Sequence, residues 1–395
     1  MAEFRAAHAA GRDWRTACLA VLEKLGEPDP RFTLGFVYVN DIVGNDLDLI
    51  YDSLRETTGI PDWVGAVGYG VCGVTPEAQG RVVNRGEADR DHGDADMARG
   101  EYFGQAAMAV LVTDLSPEDY RIFSTGPDGL ADFHTQHDTW ITEAKPQLAV
   151  VHGDSRNPRI PSLIAQLAAE SGTFLVGGMA SFTSLRNQIA GAVTGGGLSG
   201  VMLSSRVAAV SGLSQGSTPL GPIHRITNGR NNVVIALDDK PALDVLKEDI
   251  GFEDEGEFRR LAPHVNVALM QPGSDTGDYV VRNLVGIDIQ RGLIAIGDTV
   301  EAGGRIMFCA RDRDTAVNDL QRVVSATAQR ADSAAQGALY FSCVARGPNL
   351  FGPDAEELRL LSSGLGPMPL AGFYANGEIS NNKLYSHTGV LVLFR

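Results

Sequence analysis

One layout of strand, loop, helix and glycine-ended strand occurs three times along the chain and constrains the fold more than any other feature. In the first copy, the continuously apolar strand Leu34–Val39 precedes a segment whose apolar positions Leu47, Ile50 and Leu54 have helical spacing. The strand Trp63–Val67 follows and runs into a glycine-rich stretch. Because strands that are buried on both faces are apolar throughout, the first strand is predicted to lie inside a covered sheet.

The other two copies lie in the middle of the chain and near its carboxyl end. They comprise residues 147–151, 160–170 and 174–179 in the middle copy and residues 338–342, 354–361 and 370–374 in the last. The glycines of the second strand come about 30 residues after the first strand begins, which is the length of a βαβ unit. Each copy is followed by a further β-rich stretch, at residues 107–113, 198–204 and 385–394. This repetition predicts an α/β or α+β fold with helix-covered sheets.

A domain boundary is expected between the second and third copies. Pro219, Pro222 and Gly229 interrupt the periodicity there. The prediction is two packed modules, residues 1–215 and residues 216–395.

A charged stretch in the first module predicts an exposed insertion. Residues 86–100 are rich in Asp, Glu, Arg and Gly and almost free of apolar side chains. Such a segment has little to bury, so it is expected to be mobile.

Composition excludes several classes of partner. The chain has 33 Lys and Arg against 49 Asp and Glu, which gives a formal net charge of -16. Nucleic-acid backbones and anionic membranes both select clustered cations, so neither is an expected partner. No apolar run approaches the roughly 18 residues of a spanning helix, and the amino terminus lacks the apolar region of a signal peptide. The four cysteines are far apart and form no CxxC pair, which favours reduced thiols in a cytoplasmic protein.

Two motifs, a GxGxxG segment and a histidine pair, lack the neighbouring residues that nucleotide binding or metal binding needs. The segment Gly68–Gly73 matches GxGxxG after a strand, but no amphipathic helix begins inside the motif to meet a pyrophosphate. A glycine-rich strand end that passes close to another backbone is the favoured interpretation. His134 and His137 have a spacing that suits a metal, yet no acidic third ligand stands at a diagnostic distance. No metal site is therefore predicted.

Polar residues at strand ends are the strongest candidates for a functional site. His152 and Asp154 follow a buried strand, where they either face a cleft or serve as hydrogen-bonded structural groups. Cys343 ends another strand close to Arg346, whose charge would lower the pKa of the thiol and activate it as a nucleophile. A packed, unreactive thiol is the alternative.

The best convergent cluster combines residues 343–346 with residues 374–378. Parallel strands of a βαβ unit end at the same edge of the sheet, so the two segments are expected to meet. Arg346 suits the carboxylate of a ligand. A structural pair with Glu356 or Glu357 at the following helix, or with Glu378, also explains this arginine.

These segments resemble the FIST family, in both its amino-terminal and carboxyl-terminal modules, from about residue 30 to residue 395. The resemblance is carried by residues 34–41, 63–73, 151–154, 176–181, 215–222 and 241–246, and most strongly by residues 341–352 and 369–379. The family is regarded as an intracellular sensory domain that binds small ligands such as amino acids. Its members are often joined to signalling modules. None is recognisable in this sequence, which implies a stand-alone sensor that signals through a partner protein in trans.

The resemblance implies a pocket built from strand ends that binds a small polar ligand reversibly, without catalysis and without a cofactor. The expected lining is Cys343, Arg346, Gly347, Gly372, Tyr374, Asn376, Gly377 and Glu378 in the second module, and Tyr69, Cys72, His152 and Asp154 in the first. Arg346 would hold a carboxylate of the ligand and Glu378 an amine.

Three alternatives stay open beside this interpretation. Some members of the family bind haem and sense nitric oxide, and His152 is the axial ligand that this sequence would offer. An enzyme that uses Cys343 is the second alternative. A protein-interaction adaptor is the third, because some members recruit substrates.

Overall fold

The computed structural model of the chain describes residues 2–76, 97–251, 265–270 and 279–395. The insertion predicted at residues 86–100 lies outside them up to residue 96, and residues 97–100 belong to a strand. The described residues combine helices with strands in mixed sheets, which confirms the predicted α/β class. Among them, no helix is long and apolar enough to cross a bilayer.

The chain divides into two compact units, and the division differs from the predicted modules. One unit comprises Met1–Ser214 together with Leu320–Arg395, and the other is Gln215–Asp319. The smaller unit starts at the predicted boundary, but the carboxyl-terminal residues belong with the larger one. They do so because their strands hydrogen-bond to the strands at residues 70–76 and 209–214.

The larger unit consists of three repeats of one layout. The first repeat comprises β1 (Phe4–Gly11), α1 (Trp14–Leu25), β2 (Leu34–Asn40), α2 (Leu47–Thr58), β3 (Asp62–Gly68), β4 (Gly70–Pro76), β5 (Met97–Phe103) and β6 (Ala106–Thr113). The second comprises β7 (Tyr120–Ser124), α3 (Ala131–Ala144), β8 (Leu148–Asp154), α4 (Ile160–Ser171), β9 (Phe174–Ala180), β10 (Gln188–Ala190), β11 (Val193–Thr194) and β12 (Leu198–Leu203).

The third repeat is interrupted by the smaller unit. It begins with β13 (Ala209–Ser214). The smaller unit contains β14 (Thr218–Pro219), β15 (His224–Arg230), β16 (Val233–Leu237), β17 (Lys240–Pro241), α5 (Ala242–Ile250), β18 (Val265–Met270), β19 (Tyr279–Asp288), β20 (Leu293–Ile296) and β21 (Arg305–Ala310). The repeat then continues with α6 (Arg313–Ala331), β22 (Gly337–Cys343), α7 (Glu356–Leu365), β23 (Leu370–Ala375), β24 (Glu378–Ser380), β25 (Lys383–Tyr385) and β26 (Gly389–Phe394).

The three repeats form three six-stranded sheets with one strand order. The orders are β1-β6-β2-β3-β10-β11, β7-β12-β8-β9-β24-β25 and β13-β26-β22-β23-β4-β5. The central pair of each sheet is parallel and its strands are connected through a helix, which confirms the three βαβ units. The β-rich stretch that follows each unit returns as an antiparallel neighbour, β6, β12 or β26.

The last two strands of each sheet come from another repeat. Strands β4 and β5 of the first repeat complete the third sheet, β10 and β11 of the second repeat complete the first sheet, and β24 and β25 of the third repeat complete the second sheet. Every repeat therefore gives one antiparallel strand pair and receives one, so no sheet is complete without another repeat.

A glycine at the centre of each parallel pair defines the equivalence of the repeats. Gly65, Gly177 and Gly372 occupy the same position in β3, β9 and β23. A Cβ atom on any of them would lie 1.8–1.9 Å from the carbonyl oxygen of the strand alongside. Only glycine permits this approach of two backbones, so the three positions are fixed by the same contact.

The three sheets enclose a shared aromatic core. Tyr38, His152 and Phe341 are equivalent in the three repeats, and all three are fully buried. The ring centroid of Tyr38 lies 5.6 Å from that of His152 and 5.9 Å from that of Phe341. Phe373 stacks on Tyr38 at 5.0 Å. Because equivalent residues of all three repeats meet here, this group marks the pseudo-threefold axis of the unit.

The smaller unit is a closed antiparallel barrel of its own. Strand β21 pairs with both β15 and β18, and β16, β20 and β19 complete the ring between them. Helix α5 buries Leu243 and Leu246 against a core that includes Ile294 and Phe308.

The close approach at the central glycines predicts an unusual intolerance of alanine. We expect Gly65→Ala and Gly372→Ala to lower the free energy of unfolding by at least about 2 kcal/mol each, since a backbone oxygen must move to accommodate the methyl group. The matched control is Gly126→Ala, because an added Cβ at this exposed glycine meets nothing within 4 Å. Denaturant unfolding of the three variants checks this, and control-like stability of Gly65→Ala would refute the equivalence argument.

Candidate functional site

The helix-covered face of the third sheet is polar at positions that are apolar or glycine in the other two sheets. The equivalent sets are Val37, Val39 and Val67 in the first sheet, Val151, Gly153 and Met179 in the second, and Tyr340, Ser342 and Tyr374 in the third. The apolar sets belong to the packed cores beneath the helices of their repeats. The third set instead surrounds charged side chains. We call Arg346, Glu357, Glu101, Tyr340, Ser342 and Tyr374 the polar cluster.

Glu357 is the acceptor at the centre of the polar cluster. Its side chain is fully buried, in the first turn of α7. Arg346 Nε donates to Glu357 Oε1 at 2.8 Å, and the Tyr340 hydroxyl donates to the same oxygen at 2.7 Å. The Gly347 N–H donates to Oε2 at 2.9 Å, and Ser342 Oγ lies 3.1 Å from it. The carboxylate is therefore saturated by donors of the protein itself.

Arg346 is held in place by this pair and keeps one nitrogen unused. Its Nη2 lies 3.3 Å from Ser214 Oγ, and its guanidinium stacks on the Phe351 ring at 5.0 Å. Its Nη1 is buried and has no hydrogen-bond partner among the described residues. Of the alternatives raised by the sequence, the structure shows the pair with Glu357. A two-pronged grip on a ligand carboxylate is consequently not available, because only Nη1 remains.

The small size of Gly389 makes room for the arginine. A Cβ atom there would lie 2.3 Å from the Tyr340 hydroxyl and 3.3 Å from Arg346 Nη2. The equivalent positions in the other sheets carry Met108 and Leu198, which fill the same space with apolar atoms.

Glu101 enters the polar cluster from the first repeat. The Tyr374 hydroxyl donates to Glu101 Oε1 at 2.6 Å, and the Tyr374 ring also packs on Phe103 at 4.6 Å. Glu101 Oε2 is buried and has no partner among the described residues. Burial, aided by the nearby charge of Glu357, raises the pKa of Glu101 to about 7. No sequence pattern points to Glu101, because only the transfer of β4 and β5 to the third sheet brings it here.

Cys72, Gly347, Gly372 and Tyr374 of the predicted lining lie at the polar cluster. Cys72 faces Glu101 across the β4–β5 pair and is buried, which raises the pKa of its thiol well above the usual value. Gly347 has a φ of +52° and turns its N–H toward the Glu357 carboxylate. Gly372 is the central glycine of its strand pair. Cys343 is nearby in sequence and is only 3% exposed.

Glu378 lies near Arg346 but is satisfied by other partners. Its carboxylate accepts from the N–H and the hydroxyl of Thr388 at 3.1 and 2.9 Å, and from the Gly377 N–H at 3.2 Å. Burial raises its pKa to about 7. In the first sheet the equivalent position is occupied by Gln188, whose side chain is a neutral amide. Asn376, which precedes this segment, is exposed.

The remaining predicted residues are dispersed. Asp154 accepts from the guanidinium of Arg156 at 2.5 Å and from the Gly196 N–H at 2.7 Å, so it closes a loop of the second sheet. Tyr69 is half-buried and packs edge-on against the exposed Phe182. The Tyr69 N–H donates to the Tyr374 carbonyl at 2.9 Å, so its backbone borders the polar cluster while its ring faces Phe182, and Asp154 belongs to the second sheet.

His152 does not fit the role of a haem ligand. Its ring is fully buried, with the centroids of Tyr38, Phe341 and Phe373 at 5.6, 6.5 and 6.0 Å. Burial lowers its pKa to about 3. A porphyrin could reach the imidazole only by displacing these aromatic rings from the centre of the unit.

Neither the pair His134 and His137 nor the segment Gly68–Gly73 forms a ligand site by itself. His134 is bonded to Asp138 at 2.9 Å and to Glu170 at 2.7 Å, whereas His137 is buried against Phe133. The segment Gly68–Gly73 forms the end of β3 and the start of β4, and no helix begins within it.

Replacing one partner of the buried ion pair should lower the free energy of unfolding more than replacing both partners. We expect Arg346→Met to lower the free energy of unfolding by about 3–5 kcal/mol, because Glu357 stays buried without its cation. The double variant Arg346→Met/Glu357→Leu should recover part of that loss. Arg359→Met is the control on the same helix, since Arg359 forms a half-exposed pair with Glu356. Equal losses in the single and double variants would contradict a strongly coupled pair.

The raised pKa of Glu378 predicts a pH-dependent stability. The folded protein retains this proton up to about pH 7 and the unfolded chain releases it near pH 4.5, so the contribution of Glu378 to stability falls as the pH rises between these values. Glu378→Gln should reduce the stability difference between pH 5.5 and pH 7.5 by on the order of 1–2 kcal/mol. Chemical denaturation at both pH values measures it, with the exposed Glu143→Gln as control. An unchanged difference would show that Glu378 is ionised in the folded state.

Comparison with known proteins places this architecture in a family. The FIST N domain matches residues 33–240 and the FIST C domain matches residues 242–381. An uncharacterized protein of Mycobacterium tuberculosis is 34% identical over 208 residues, which cover 50% of this chain and 54% of the relative. An uncharacterized protein of Mycobacterium bovis is 34% identical over 193 residues, which cover 46% and 49%. The chain thus spans about half the length of the curated relatives that it matches. Because the two domain profiles together account for most of its length, the chain belongs to the FIST family of sensory domains that bind small ligands.

Proposed function

We propose that the protein is a sensor that reversibly binds a small polar ligand of the amino-acid type at the polar cluster and signals through a partner protein. The observation that carries this proposal is the replacement, in one repeat of three, of an apolar helix-covered face by buried charges. The proposed event is binding without chemistry.

The cost of the polar cluster supports a functional role. Each buried ion costs several kcal/mol of desolvation, and a buried pair is often no more stable than apolar residues of similar volume. The first two repeats build the same parallel strand pair, helix and glycine contact around apolar side chains. Since the fold does not require charges at these positions, a ligand that needs them is the simplest reason for their presence.

The unused atoms of the polar cluster define the ligand. Arg346 Nη1 offers a donor and Glu101 Oε2 offers an acceptor, and neither has a partner among the described residues. A ligand that carries an oxyanion and a protonated amine satisfies both atoms at once. In this proposal Glu101 binds the amine instead of Glu378, because Thr388 and Gly377 already occupy the Glu378 carboxylate.

The state of the thiols accords with a sensor in a reducing, intracellular compartment. Cys18, Cys72, Cys309 and Cys343 are all buried, and none of them forms a disulfide. Disulfides are rare where cytosolic thiol systems operate. Burial of Cys343 also speaks against its use as a nucleophile, because a reactive thiol needs access to its substrate.

A ligand screen with paired variants tests the proposal. We expect at least one of the common amino acids to raise the melting temperature of the protein by a few degrees, since a ligand at 100 times its Kd adds about 2.7 kcal/mol of stability. The shift should disappear in Glu101→Gln, which removes the negative charge that the amine needs, and shrink in Tyr374→Phe, which removes the hydroxyl bonded to Glu101.

The control for this screen is Arg359→Gln, which changes a half-exposed charge on the helix that carries Glu357. It should keep the full ligand-induced shift. Amino-acid binding that survives both Glu101→Gln and Tyr374→Phe would place the ligand elsewhere in the protein.

A further inference from the structure

A cavity of about 450 Å³ lies at the opposite end of the three-sheet core from the carboxyl ends of the parallel strands. The connections between repeats converge there: residues 114–119 join β6 to β7, and residues 204–208 join β12 to β13. The ends of β6, β12 and β26 lie beside the starts of β2, β8 and β22, which places the cavity near the pseudo-threefold axis.

The floor of this axial cavity is apolar. It is formed by Phe4, Leu115, Val207 and Phe394. The rings of Phe4 and Phe394 stack with their centroids 4.9 Å apart, and both rings belong to the central core. The cavity therefore gives a ligand access to the end of that core.

The rim of the axial cavity carries two carboxylates and two arginines. Asp114 accepts from the Glu3 N–H at 2.7 Å, and Asp119 accepts from Ser204 Oγ at 2.9 Å and from Arg206 Nε at 2.5 Å. One oxygen of each carboxylate is thus engaged by the protein.

The arginines of the rim retain unused donors. Arg206 is 60% exposed in its side chain. Arg395 Nη1 donates to the Ala331 carbonyl at 2.8 Å, but its Nε is buried and has no partner among the described residues. Both arginines offer N–H donors at the rim, and a ligand group that matches them is an acceptor with negative charge.

We propose that the axial cavity binds a small organic carboxylate with an apolar body, such as an arylacetic acid. The apolar floor takes the body of the ligand, and Arg395 with Arg206 takes its carboxylate. The volume falls within the roughly 300–1,000 Å³ of small-molecule pockets. This ligand class differs from that of the polar cluster, because the proposed acid carries no amine. The axial cavity is a second site, separate from the proposed sensory one.

The test measures binding of phenylacetate and of its neutral analogue phenylacetamide by titration calorimetry and ligand-observed NMR. We expect phenylacetate to bind with a Kd below about 1 mM and the amide to bind at least tenfold more weakly. Arg395→Gln should weaken phenylacetate binding at least tenfold. Ser116→Trp, which fills the cavity from an exposed lining position, should abolish it. Glu101→Gln should leave it unchanged. Melting temperatures establish that each variant is folded.

Each other outcome overturns the inference in an identifiable way. Absence of binding refutes the site, and equal affinity for the amide shows a purely apolar pocket. Binding that persists in Ser116→Trp places the acid elsewhere. Loss of binding in Glu101→Gln assigns the acid to the polar cluster instead, so failure here is distinguishable from failure of the proposed sensory site.

Discussion

The exchange of antiparallel strand pairs among the repeats is the constraint on which the rest of the larger unit depends. Strands β4 and β5 leave the first sheet and complete the third, where Glu101 meets the hydroxyl of Tyr374 across 273 residues of sequence. The other two pairs move in the same way, so the three sheets cannot form independently of one another. The polar cluster exists only once this exchange is complete.

Comparison of the three repeats distinguishes the residues that the fold requires from those that belong to the polar cluster. The close backbone contact at Gly65, Gly177 and Gly372 is the same in all three repeats, because every parallel pair has the same geometry. The side chains beneath the helices are free to differ. Two repeats use that freedom for apolar packing, and the third uses it for the ion pair of Arg346 with Glu357.

The polar cluster on the helix-covered face of the third sheet and the axial cavity have different chemistry. Charges at the polar cluster are buried and linked by short hydrogen bonds, so a ligand there must match fixed donors and acceptors. The axial cavity combines an aromatic floor with arginines at a solvent-accessible rim. Phe341 of the aromatic group alternates along β22 with Tyr340 and Ser342, so it faces the central core on the other side of the third sheet.

Local pattern in the sequence determined the three βαβ units, the strands that follow them, the α/β class and the family, because apolar periodicity and glycine spacing are properties of short segments. It also indicated Arg346 and Tyr374 as site residues. Only the tertiary structure decided that Glu357 is the partner of Arg346, that Glu101 joins the site, and that residues 320–395 belong with the first two repeats. Those outcomes depend on which distant strands hydrogen-bond to each other. Backbone groups are alike in every residue, so the choice among distant strands rests on the packing of whole sheets and is not encoded in any single segment.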